Sequence, residues 1–218
     1  MLNIIILDFG KKEFLMPVIY SMAKKICTAQ QKALKQGNSL IIYEAFRPYA
    51  VQQKVSNSLK TLSESDQEVY NGIYVSGWGE GWFIAKKLSN HQRGVAIDVS
   101  LAKINSSQTS HIGNYSYTKI SDYTEYTMPT QMHELSIIAT TFKYGVSSLS
   151  KTDWQNVPLS DYMNENSILL QKYCTDSGLS PLASEWWHFN DLDAREQTKN
   201  NYSNGQYYIT NCYSAIPE

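Results

Sequence analysis

Two of the four histidines in this chain stand in company that could do chemistry. His188 closes the run Glu185-Trp186-Trp187-His188 inside the longer stretch 184–190, SEWWHFN. His91 opens HQRGVAID (91–98), which ends at Asp98. A carboxylate set among tryptophans is costly to bury unless something pairs with it. His91, Asp98 and His188 would together supply three protein ligands, and catalytic zinc uses such a set with a fourth position left open. Glu185 would then be the base that takes a proton from the attacking water. The two tryptophans would wall the carboxylate and imidazole and keep the site partly dry.

Each piece alone has a plain alternative. Residues seven apart on a regular strand point to opposite faces, so His91 and Asp98 converge only if the chain turns or bulges between them. Gly94 is where it can do so. A Glu-x-x-His spacing also suits a polar strand edge, and the short zinc-protease motif HExxH is absent. A third segment, YEAFRPYAVQQ (43–53), places Arg47 after an apolar run and before Pro48. A rigid exit from a strand aims a guanidinium well, and near a zinc site Arg47 could stabilise an oxyanion. By itself the segment reads better as an ordinary surface or salt-bridging arginine.

The elements that must position these residues read as a mixture. Apolar spacing through Ile19, Met22, Ala23, Ile26 and Cys27 predicts a helix over 17–36, stopped at Gly37. SLIIYEAF (39–46) reads as a buried strand, and Pro48 as the first residue of a following helix. Residues 62–80 are polar and glycine-containing and read mostly as loop, and GWFIAKKLSN (81–90) as a short helix. GVAIDVSLAKI (94–104) alternates as a strand does, and SDYTEYTMPT (121–130) holds another candidate. Residues 159–178 look helical, with Ser160 as N-cap and Gly178 near the stop. SEWWHFN and GQYYITNCYS (205–214) read as strands. Without a strict βαβ rhythm this favours α+β, as one domain over 1–218.

The totals exclude several classes. A formal net charge of -1 gives no basic footprint for nucleic acid. No apolar run approaches the roughly 18 residues that span a bilayer. The N-terminal MLNIIILDFGKK reads poorly as a secretory signal. The odd set Cys27, Cys174 and Cys212 argues against a full disulfide framework, leaving buried small side chains or one bridge plus a thiol.

Taken together, FRP (46–48), SNHQRGVAID (89–98) and EWWH (185–188) resemble, in family order, the motifs of the zinc D-Ala-D-Ala dipeptidases and carboxypeptidases, the VanX/VanY type. The resemblance spans about 37–190 and looks closer to the dipeptidase branch. It implies an α+β fold with a mainly antiparallel central sheet flanked by helices and zinc in a cleft. It implies one zinc ion held by His91, Asp98 and His188, Glu185 as general base, Arg47 at the transition state and Ser89 as a substrate contact. The implied substrate is a peptidoglycan-derived D-amino-acid peptide, either the free dipeptide or the end of a stem peptide. One stretch departs. In the dipeptidases MGTxFD supplies an aspartate near the substrate's free amino group, and here MPTQMHEL (128–135) puts His133 at that place with Glu134 beside it. An imidazole holds an ammonium less well than a carboxylate does, unless it is neutral and accepting. The segment between Asp98 and Glu185 also looks longer than in a compact dipeptidase. A wall substrate points to the envelope or exterior, whereas interception of wall precursors would place the protein in the cytoplasm.

Overall fold

The computed structural model describes residues 16–75 and 77–199. Helix α1 (Tyr20–Leu34) buries Met22, Ala29, Gln30 and Ala33, with Ile19 and Ile26 packed beside them. It stops before Gly37, whose φ of 74° lets the chain reverse into β1 (Asn38–Glu44). Helix α2 (Tyr49–Ser65) follows with Pro48 as its cap.

The stretch 62–80 is not mostly loop. Helix α2 runs to Ser65, α3 (Gln67–Ile73) follows, and α4 (Glu80–Phe83) adds one turn. The Asp66 carboxylate accepts from the Glu68 and Val69 amides and caps α3. Ile73 is then buried against Leu59, Phe83 and Ile84. A strong cap and one apolar contact row outweigh the polar composition.

Strand β2 (Ala96–Ile112) pairs antiparallel with β3 (Tyr115–Glu125) through a turn at Gly113, whose φ is 53°. The strand expected within 121–130 therefore starts earlier and ends at Glu125. This ribbon opens the segment between Asp98 and Glu185, and it is continuously buried only over Ala96–Ala102 of β2. Helix α5 (Glu165–Thr175) starts later than expected and is capped by Asn164, not Ser160. Asn164 and Ser167 form a reciprocal capping box, while the Ser160 hydroxyl faces Thr140 and the Tyr162 amide. Strand β4 (Ser180–Pro181), β5 (His188–Asn190) and α6 (Leu192–Thr198), capped by Asp191, complete the described chain. The strand expected over 205–214 and the N-terminal apolar run lie outside the described residues.

The sheet order is β1-β2-β5-β4, with β3 added along β2, and every pairing is antiparallel. The architecture is thus α+β with a central antiparallel sheet. Ile97, Val99 and Leu101 of β2 pack with Met22 and Ala33 of α1 and Leu170 and Tyr173 of α5. Alternation along a strand then sends Asp98 to the opposite face. Among the described residues no helix is long and apolar enough to cross a membrane.

Candidate metal centre and active site

Strand register does most of the assembly. Glu44 of β1 stands opposite Asp98 of β2, and Asp98 stands opposite His188 of β5. Residues directly opposite share a face, so three polar side chains form one row across three strands. The register of β1 slips between Ile42 and Glu44, which brings Glu44 onto this row.

His91 joins the row from outside the sheet. Residues 90–94 form a turn before β2, closed by the Gly94 amide on the His91 carbonyl and the Val95 amide on the Asn90 carbonyl. Gly94 has φ 68°, and a Cβ there would meet Ile19 at 3.3 Å. The glycine therefore works as a turn, not as a strand bulge, and this lets His91 reach Asp98.

The three donors converge. His91 Nε2 lies 3.1 Å from His188 Nδ1 and 3.3 Å from Asp98 Oδ1, and His188 Nδ1 lies 3.0 Å from the same oxygen. Ligands about 2.0–2.1 Å from one tetrahedral ion stand about 3.3 Å apart, so the triangle has the size zinc needs. The proton positions agree. His91 Nδ1 is 2.7 Å from the Ala45 carbonyl, which only accepts, so the proton sits on Nδ1. His188 Nε2 is 3.1 Å from Asn190 Oδ1. With neutral rings, two bare nitrogens and a carboxylate oxygen face one another, a set that calls for a cation. All three residues are buried.

The surroundings are acidic. Burial opposes the Asp98 charge, but His91, His133 and His188 outweigh it and hold the carboxyl well below the usual range. Glu185 is 6% exposed, with Oε2 3.5 Å from His188 Nδ1. Burial pushes its carboxyl up to about 8, with the Asp98 and Glu44 charges adding and His188 and Arg47 opposing. Asp98, Glu185 and Glu44 thus all act on Arg47.

Arg47 is held in place from both ends of its guanidinium. Its Nε donates to both Glu44 oxygens at 2.9 Å, and its Nη2 also reaches Glu44. Its Nη1 donates to Gln52 Oε1 at 2.7 Å, and Gln52 in turn donates to the Ala85 carbonyl at 2.7 Å. Nη2 stands 3.5 Å from Asp98 Oδ2. Burial works against the Arg47 charge, but Glu44, Asp98 and Glu185 outweigh it and raise its pKa. Glu44, Asp98 and His133 also cluster closely enough to suggest a second cation, but Arg47 already occupies that acidic corner.

The run SEWWHFN is a strand only over its last three residues. The His188 amide donates to the Glu185 carbonyl at 3.2 Å, which makes 185–188 a turn. A strand would point Glu185 and His188 to opposite faces, and the turn puts both on the site. Trp186 and Trp187 are not walls of the cleft. They are 2% and 0% exposed, meet edge to face at 5.2 Å and anchor the turn in the main core.

The remaining expected contacts divide. His133 reaches the cluster, with Nε2 3.1 Å from Asp98 Oδ2, its ring against Trp187 and an uncommon φ of 63°. Glu134 is exposed and turned to Ser136. Ser89 is buried, its hydroxyl facing the Gln92 amide at 3.4 Å. Glu44, Gln52 and Asn190 belong to the site although no motif marks them. The first two lie in the same stretch as Arg47, and acid and amide neighbours of a buried arginine were the available signal.

The D-ala-D-ala dipeptidase family model matches residues 15–207, well beyond the three motifs. No curated protein matches the chain. Enzymes of the matched family are zinc-dependent metallopeptidases acting on D-Ala-containing peptides. A match across most of the chain, over a donor triangle of this geometry, places the protein in the D-Ala-D-Ala dipeptidase family.

Proposed function

We propose that the protein is a zinc-dependent D-alanyl-D-alanine dipeptidase of bacterial cell-wall peptide metabolism, built as one peptidase domain. The observation that carries this reading is the convergence of three bare donor atoms, 3.0–3.3 Å apart, beside a buried glutamate and a clamped arginine. His91, Asp98 and His188 would hold the zinc ion. When bound, zinc would supply a Lewis acid that lowers the pKa of a water molecule. Glu185 takes the proton from the attacking water and later delivers it to the leaving amine. Burial favours the protonated carboxyl in the metal-free site, and a bound cation beside it would favour the carboxylate that this task needs. Arg47 lends its charge to the oxygen that becomes anionic, and Glu44 and Gln52 keep it from turning away.

One observation favours a second reading, cleavage of D-Ala from a longer stem peptide by a carboxypeptidase or endopeptidase. A free dipeptide carries an ammonium that wants a carboxylate. Here His133 stands where the dipeptidase aspartate is expected, Glu134 is turned to Ser136, and Glu44 is engaged by Arg47.

The deciding experiment measures D-Ala released by the zinc-loaded protein from D-Ala-D-Ala and from its N-acylated tripeptide, with Glu185→Gln as control. Faster release from the free dipeptide supports the first reading, and faster release from the acylated peptide supports the second. Zinc bound with no hydrolysis of either peptide would overturn both.

A further inference from the structure

His188 can bind a metal through Nδ1 only if its proton sits on Nε2. We propose that Arg195, Asn90 and Asn190 form a relay that sets this tautomer, which makes Asn90 and Arg195 positioning residues for the metal centre. The inference rests on the zinc reading above.

The relay follows from donor and acceptor counts. Arg195 Nε lies 3.2 Å from Asn90 Oδ1. A guanidinium has no acceptor, so the atom of Asn90 that faces it must be the oxygen. The Asn90 amide nitrogen is then turned to Asn190, 2.8 Å from Oδ1. That donor requires an oxygen opposite it, which fixes the direction of the Asn190 amide. The same Oδ1 is 3.1 Å from His188 Nε2 and can only accept, so Nε2 carries the hydrogen. Nδ1 is left bare, 3.0 Å from Asp98 Oδ1 and 3.1 Å from His91 Nε2.

A second observation agrees. Asn190 Nδ2 is buried without a hydrogen-bond partner among the described residues. A buried donor without a partner is destabilising. Turning the amide over would set its nitrogen against the Asn90 nitrogen, so the chain keeps the orphan. The two histidines are therefore fixed by different means. His91 is set by a backbone carbonyl, which no substitution removes. His188 is set by side chains that cross from the turn before β2, through β5, to α6.

The test changes one atom type without changing shape. Asn90→Asp keeps an acceptor for Arg195 and adds an ion pair, so a merely structural tie would be kept or strengthened. As a relay it inverts. The new carboxylate only accepts, the Asn190 amide turns its nitrogen toward it and toward His188, and the ring proton moves to Nδ1. Zinc affinity, read by chelator competition, should fall ten- to a hundredfold. Ring nitrogen NMR of the metal-free protein should show the His188 proton on Nε2 in wild type and on Nδ1 in Asn90→Asp. Arg195→Ala should weaken zinc binding, and Arg195→Lys, again a pure donor, should recover most of it. Should Asn90→Asp not fold, Asn190→Asp decides by NMR: it accepts at both atoms, so the proton should stay on Nε2. Wild-type zinc affinity together with an unmoved ring proton in folded Asn90→Asp would overturn the relay, as would a proton that leaves Nε2 in Asn190→Asp. A wild-type protein that binds no zinc would defeat the metal reading, while the NMR result would still decide the relay.

Discussion

Glu185 puts the conflict between stability and function on a measurable scale. Its carboxyl is buried and lifted from an ordinary 4.5 to about 8 in the metal-free protein. A raised carboxyl binds its proton more tightly folded than unfolded. Its contribution to stability is therefore complete below 4.5 and is lost as pH rises through about 8. Each pH unit above the unfolded value costs about 1.4 kcal/mol until the folded group ionises. The cost is then under about 1 kcal/mol at pH 5 and about 3 kcal/mol at pH 7. Glu185→Gln has the same shape and does not titrate, so it escapes this loss. Urea unfolding of the chelator-treated proteins should show the variant gaining about 2–3 kcal/mol on wild type between pH 5 and pH 7. Comparing two pH values cancels any fixed packing difference. The same variant should keep its zinc and lose about 10²–10⁴-fold in turnover. Parallel stabilities across that pH range would refute the argument that burial holds the proton on Glu185.

Arg47→Lys loses the forked grip on Glu44 and the reach to Gln52; kcat on the preferred peptide should fall about 10²–10³-fold. Stripping the metal with a chelator should abolish hydrolysis, and one equivalent of zinc, counted by elemental analysis, should restore it. Leu170→Ala empties a fully buried position in the main core and should cost about 2–5 kcal/mol in urea unfolding, with kcat nearly unchanged. Gly94→Ala strains a φ of 68° and presses on Ile19. It should cost more than about 1 kcal/mol and weaken zinc binding, because that turn carries His91.

The residues that could do chemistry were legible because reactive types are few and their spacing is short. With four histidines in the chain, two carboxylate-linked ones stand out, and Arg-Pro after an apolar run marks a strand exit. Local rules also found the cores of α1, β1, α2 and β2, where apolar period and a glycine or proline agree. They failed where a side-chain cap overrode composition, as Asp66 does for α3 and Asn164 does for α5. They failed again at SEWWH, where β-formers lie in a turn because the tryptophans are claimed by the core.

Residue types and spacing already set the kind of chemistry, since two imidazoles, their carboxylates and an arginine limit what a site can do. Which atoms face each other depends on strand register and turns. Antiparallel register set Glu44, Asp98 and His188 in one row, and a left-handed glycine swung His91 onto it. The Arg195–Asn90–Asn190 contacts join residues about a hundred positions apart. No local spacing encodes a proton's place on an imidazole; it follows from which acceptors the fold brings within hydrogen-bonding distance.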